Sequence, residues 1–160
     1  MSQHSITSRL DQFLDRLLRP IVEGKLQSTT FANGADFIRK INQYSKEERR
    51  LRPTTIFTTM EISNFYTMVT HESMLITLEG FLTDHLATPL VGDISIARFY
   101  KLAALFLNNN RFYYDNKLYS FTKGAPSGLL FTETLSNIYV FLWQQSLLEA
   151  PLIRKELFGR

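Results

Sequence analysis

The sequence predicts an α+β fold, on three observations. Apolar residues recur at i, i+3 and i+4 through several stretches, the spacing of a helix with one buried face. Thr54 to Ile62 (TTIFTTMEI) is rich in β-branched and aromatic residues, the composition of a strand. Arg111 to Phe121 (RFYYDNKLYSF) carries aromatics on both sides of Asp115-Asn116-Lys117, a hairpin signal. At 160 residues the chain is long enough for one domain with a real core. With 44% hydrophobic and 21% charged residues it has a globular composition. The absence of cysteine excludes a disulfide framework, a thiolate zinc site and a cysteine nucleophile. The net charge of +3 is compatible with a nucleic-acid partner without requiring one. The start, MSQHSITSRLDQ, lacks the apolar run of a signal peptide, and no stretch of about 18 apolar residues occurs. The expectation is an intracellular chain with no membrane partner.

Taken in order, residues 5–18 form the first helix. Leu10, Phe13, Leu14, Leu17 and Leu18 lie on one face, and Pro20 is expected to end the pattern. Gly24 to Asn33 reads as a loop, and Gly34 precedes a short helix carrying Phe37, Ile38 and Ile41. Lys46 to Arg52 (KEERRLR) mixes charges of both signs and reads as a solvated helix end or loop. Pro53 breaks it, and the strand 54–62 follows. His71 to Leu86 is helical, with Leu75, Leu78, Phe81, Leu82 and Leu86 on one face. Ile94 to Leu107 is a second helix, apolar all round and expected to be buried. After Asn108-Asn109-Asn110 come the hairpin, the loop KGAPSG and the longest helix, Leu129 to Leu148.

Two motifs carry chemistry. Thr58 to Thr67 (TTMEISNFYT) puts an acid, Glu61, at the end of the expected strand and an aromatic, Tyr66, shortly after it. A strand-end carboxylate can hold Mg²⁺, which takes oxygen ligands, and two-metal nucleotidyl transfer uses such carboxylates as clamps. An aromatic just beyond can lie under the incoming sugar. Taken alone, the pattern fits a solvated glutamate and a core tyrosine at least as well. The second motif, Lys123 to Trp143, is Gly-x-Pro-x-Gly followed by a helix bearing Thr132, Thr134, Ser136 and Asn137. Glycines let backbone approach a nucleotide closely, and a helix N-terminus favours anions. A plain turn before a buried helix would look the same. The hairpin aromatics Phe112, Tyr113, Tyr114, Tyr119 and Phe121 could stack on bases or form half a core. His4, His71 and His85 share no metal-ligand spacing, and no His and Asp pair with Ser127 in a nucleophile elbow.

The two motifs in this order, with the segment between them, resemble the reverse transcriptase palm of Penelope-like retroelements. The matching stretches are Thr59 to Val69, Asn110 to Tyr119 and Gly124 to Tyr139, with Asn33 to Ile38 upstream. The resemblance implies a partial polymerase palm: fingers-side helices in 1–53, then one motif-A strand, a β-hairpin and a long motif-B helix in 54–160. It implies Glu61 at the catalytic, metal-binding position. Ile62, Tyr66, Gly124, Pro126, Gly128 and Asn137 would face a nucleotide, and Lys101, Arg111, Lys117 and Lys123 would face a template–primer of RNA or DNA. Mg²⁺ is the implied cofactor and the nucleus the implied location.

The chain also departs from that pattern. The family has Asp where this chain has Glu61, and Ser-Pro where it has Leu129-Leu130. The family runs from Phe/Tyr-Gly-Arg into Tyr-x-Asp-Asp, which holds the other metal-binding carboxylates, whereas this sequence stops at Phe158-Gly159-Arg160. Arg19-Pro20-Ile21 looks like a triphosphate-contacting finger motif, but its distance from Asp36-Phe37-Ile38 fits a later family segment. The expectation is therefore a reverse transcriptase segment that is inactive alone. The alternative is a non-catalytic nucleic-acid-binding or self-associating protein built from a palm.

Overall fold

The computed structural model describes residues 6–46, 51–63, 65–154 and 157–159. Six helices and two antiparallel hairpins make a mixed α+β structure in which the helices carry the core. In chain order these are α1 (Ile6–Leu26), α2 (Gly34–Lys46), α3 (Phe65–Met68) and α4 (His71–His85). They are followed by β1 (Leu90–Val91), β2 (Ile94–Ser95), α5 (Ile96–Asn108), β3 (Arg111–Tyr114), β4 (Lys117–Ser120) and α6 (Leu130–Arg154).

The core is built by α1, α4, α5 and α6, which pack on one another. Leu14, Leu18, Val22 and Leu26 form the buried stripe of α1, at the i, i+4 spacing that aligns side chains along one face. They share a single apolar cluster with Leu78, Phe81 and Leu82 of α4, Phe99, Phe106 and Leu107 of α5, and Phe131, Leu135 and Ile138 of α6. Phe131 meets Phe99 and Phe106 edge-on, at ring separations of 6.2 and 5.3 Å. That is the favoured geometry for aromatic quadrupoles. The same cluster thus joins residues on both sides of position 53.

Local chemistry sets most boundaries. The Thr70 hydroxyl caps α4 by accepting from Ser73 N, and Ser95 caps α5 by accepting from Arg98 N. Asn33 accepts from Asp36 N at the start of α2, and the Asp36 carboxylate accepts in return from Ala32 N. The expected hairpin forms in register, with Phe112 opposite Tyr119 and Tyr114 opposite Lys117. Asp115 and Asn116 sit at φ 48° and 56°, the left-handed pair a two-residue hairpin turn demands.

Three expectations are corrected. First, α1 does not end at Pro20 but runs to Leu26, with a 3-10 turn at Gln27–Thr29. The apolar stripe continues past the proline to Val22 and Leu26, and burying it outweighs one lost backbone bond. Much of the expected loop 24–33 is therefore helical. Second, the motif-A strand 54–62 is not a strand. After a turn closed by Thr55 N donating to Arg52 O, the chain runs irregularly to Ile62. Ile56, Phe57 and Met60 are 86%, 66% and 66% exposed. Strand propensity expresses side-chain packing within a sheet, and no described strand lies alongside to pair with this segment. Third, Ile94 opens not a helix but the two-residue strand β2, which pairs with β1 across Gly92-Asp93. Gly92 takes a positive φ there, of 61°. Residues 47–50 of the charge cluster, with His4 and Arg160, lie outside the described residues. No described helix is long and apolar enough to cross a membrane.

Candidate functional site

The two motifs meet. Gly124 N donates to Val69 O (2.7 Å), and Ala125 N donates to Tyr66 O (2.8 Å). The Gly124–Gly128 loop is thereby zipped by its backbone onto the short helix α3 and the residue after it. Gly124 adopts φ 68°, and a Cβ there would run into the Tyr66 carbonyl and come within 2.6 Å of Thr67 Cα. Only glycine allows this approach. Gly124, Ala125 and Pro126 are buried, while Ser127 and Gly128 are exposed at the tip, Gly128 with φ 82°.

His71 clasps the junction from the first turn of α4. Its Nε2 donates to the Gly124 carbonyl (2.7 Å), 53 residues away, and its Nδ1 lies 3.2 Å from the side-chain amide of Asn108 at the end of α5. One imidazole therefore ties α4, α5 and the glycine loop together. Neither its lack of metal-ligand spacing nor its place at the start of a helix marks His71 in the sequence, because its partners lie 37 and 53 residues away.

Behind the loop, α6 begins without a local cap, and α1 supplies one. Asp11 accepts from Leu130 N (3.1 Å) and Phe131 N (2.9 Å), spanning 119 and 120 residues. Its negative charge sits at the positive end of the helix dipole. Burial pushes the Asp11 carboxyl above its ordinary 3.8 despite these two donors. One turn on, Asp15 accepts from the Thr134 hydroxyl (2.6 Å) and pairs with Arg19 Nε (2.9 Å). That carboxylate holds Arg19 above its ordinary value, securing its charge. No sequence signal marks Asp11 as a cap of α6 or Asp15 as the partner of Thr134, because those partners lie at the far end of the chain.

The remaining expected site residues scatter. Glu61 and Ile62 are exposed on the irregular segment. Asn137 lies on α6, seven residues past Leu130 and so about 10 Å along the helix. It lines a cleft of about 800 Å³ between α1, α2 and α6, with Arg19, Asp36, Arg39, Lys40 and Glu133 among its neighbours. Arg19, set aside in the sequence as part of a later segment, is thus a cleft residue. Its charge is answered by Asp15, Glu23 and Glu133, and those of Arg39 and Lys40 by Asp36. Lys101, Arg111, Lys117 and Lys123 are all exposed, on α5, the hairpin and the glycine loop.

Among the described residues no cluster of three or more His, Asp or Glu side chains could hold a metal ion. A lone carboxylate such as Glu61 leaves most positions around Mg²⁺ to water. The loop tip, Ser127 and Gly128, is exposed, and Lys123 is exposed just before the loop. No family model, no curated protein and no solved structure matches the chain.

Proposed function

We propose that this chain is the nucleotide-side portion of a reverse transcriptase domain of the Penelope-like type, acting as a nucleic-acid-binding palm module that does not catalyse on its own. The observation that carries the reading is the docking of Tyr66–Val69 onto Gly124–Ala125. The resemblance assigns both motifs to one nucleotide pocket. The fold brings the two segments, far apart in sequence, into contact through a glycine that no other residue could replace without displacing backbone. The cations Lys101, Arg111, Lys117 and Lys123 supply a modest electrostatic contact for a template–primer. Mg²⁺ belongs to the reading only through Glu61. Two-metal transfer needs carboxylates converging on ions about 3.5–4 Å apart, and Glu61 is one methylene longer than the family's aspartate.

The test is a primer–template assay with the 160-residue chain, Mg²⁺ or Mn²⁺, and a template-free control. The expected result is weak binding that falls steeply with salt, and no template-dependent extension. Absence of binding at low salt removes the reading. Template-directed incorporation abolished in Glu61→Ala overturns its non-catalytic part.

A second reading, self-association, has one observation in its favour: the exposure of Ile56, Phe57 and Met60 on a segment where, among the described residues, no backbone–backbone hydrogen bond runs from Ile56 to Ile62. Such a segment invites pairing with a neighbouring chain. Sedimentation at rising concentration tests it. A monomer throughout excludes it.

A further inference from the structure

The β3–β4 ribbon has a sidedness that its sequence alternation only hinted at. Cross-strand partners share a face, and the register pairs Phe112 with Tyr119 and Tyr114 with Lys117. One face therefore carries Phe112, Tyr114, Lys117 and Tyr119, with Phe121 following in the same phase. On it the rings form a continuous row. Phe121 lies 5.0 Å from Phe112, Phe112 stacks on Tyr119 at 5.5 Å and 20°, and Tyr119 meets Tyr114 at 6.5 Å. All eight strand residues are exposed, and Tyr114 is 70% so. An isolated two-stranded ribbon is marginal in water, so displaying this much ring surface has a cost that folding alone does not require. The base of the ribbon is tied to α5. Phe121 N donates to Asn110 O, and the buried Asn110 amide donates to Phe106 O in the core helix α5.

The charge of the ribbon and its flanks is net positive. From Arg111 to Lys123 there are three cations, Lys117 on the ring face, Arg111 on the opposite face and Lys123 beyond the ribbon, against one acid, Asp115 in the turn. A row of exposed rings with Lys117 on the same face at its tip matches the chemistry of an unpaired strand, whose bases stack on rings while its phosphates seek positive charge. A duplex offers phosphates but keeps its bases stacked on each other, so it can use the cations and not the rings.

We propose that this aromatic face, Phe121–Phe112–Tyr119–Tyr114 with Lys117 at its tip, is a stacking platform for single-stranded RNA, the unpaired template beyond the primer. The inference rests on the nucleic-acid reading above for the class of partner and adds where and how the unpaired strand is held. Lys101, on α5, has no part in it.

The test is fluorescence anisotropy at low salt with the whole chain and three probes: a U-rich 12-mer RNA, the same length of DNA, and a blunt duplex. Wild type is expected to bind the RNA single strand more tightly than the duplex. Tyr114→Ala with Tyr119→Ala is expected to lose roughly tenfold or more on the single strand and to leave duplex binding unchanged. Tyr114→Phe with Tyr119→Phe is expected to keep single-strand binding, because the π-faces remain. Lys117→Ala is expected to lower the salt slope by about one. Tyr119 also stacks on Phe112 across the ribbon, so circular dichroism and thermal melting check that each variant keeps its fold, and the phenylalanine pair, which keeps the rings, separates lost stacking on the strand from a frayed ribbon.

Single-strand binding untouched by the double alanine variant overturns the platform while the polymerase reading stands. Failure of wild type to bind any probe overturns both. Tighter binding of the DNA strand than of the RNA overturns the assignment to RNA. Concentration-dependent self-association that disappears in the double alanine variant assigns the face to a second copy of the chain and overturns the proposal.

Discussion

Gly124 is held in the left-handed region with the Tyr66 carbonyl where its side chain would be. Gly124→Ala is expected to cost about 1–3 kcal/mol in urea unfolding, from backbone strain and the displaced α3 contact. Gly128→Ala, with a positive φ but open space around it, is expected to cost less. Asp36 makes a second prediction. The Arg39 guanidinium, then the Ala32 N–H and Lys40, hold its carboxyl at about 2, against an ordinary 3.8. A lowered acid binds its proton less tightly when folded. The stability Asp36 contributes is thus fully present above about pH 4 and is lost as pH falls through about 2. NMR titration of the Asp36 carboxyl should show that midpoint, and Asp36→Asn should flatten this part of the acid limb. Asp11 works in the opposite sense. Burial raises it, so its contribution is largest below 3.8 and is lost as pH rises through its folded value.

Among the elements, α1 carries a fault that its packing overrides. Pro20 is exposed within the helix, where it removes a backbone donor and crowds the preceding turn. Proline in a helix interior costs about 3 kcal/mol relative to alanine, partly offset by the freedom it removes from the unfolded chain. Pro20→Ala is therefore expected to stabilise the protein by about 2 kcal/mol, read as a raised urea midpoint with unchanged slope. The start of α6 shows the converse. Lacking a local capping side chain, it takes Asp11 from α1, so the helix begins where the tertiary fold supplies an acceptor. α2 has local caps at its start but buries no residue, leaving Phe37 and Ile38 at 41% and 60% exposure. Its amphipathic pattern was legible, but the partner for its apolar face was not.

For the whole molecule, stability is concentrated in the four-helix core. Segment 54–62 contributes little to it, having no backbone hydrogen bond from Ile56 to Ile62 among the described residues. Amide hydrogen exchange should separate the two. The amides of Leu14, Leu18, Phe106 and Leu135 are expected to exchange only on global unfolding. Those of Phe57 to Glu61 should exchange within the dead time. Protection at Phe57 to Glu61 in the free monomer would mean that the segment finds a strand partner in solution.

The hairpin, the caps of α4 and α5 and the apolar faces of four helices were fixed locally. Asp115-Asn116 can occupy the left-handed region at small cost, hydroxyls before helices satisfy loose N–H groups, and a stripe at helical spacing has to be buried. The glycine loop was legible as a place of close approach, but the sequence did not say what approaches it. Tertiary structure decided that Tyr66 fills that place, that His71 clasps it and that Asp11 and Asp15 anchor the helix behind it. It also moved Asn137 into the cleft beside Arg19. Each of these is a contact between residues far apart in the chain, and side-chain periodicity carries no information about such pairs. The fate of 54–62 was decided the same way. Its residues favour a strand wherever a neighbour can pair with them, and among the described residues no strand pairs with it.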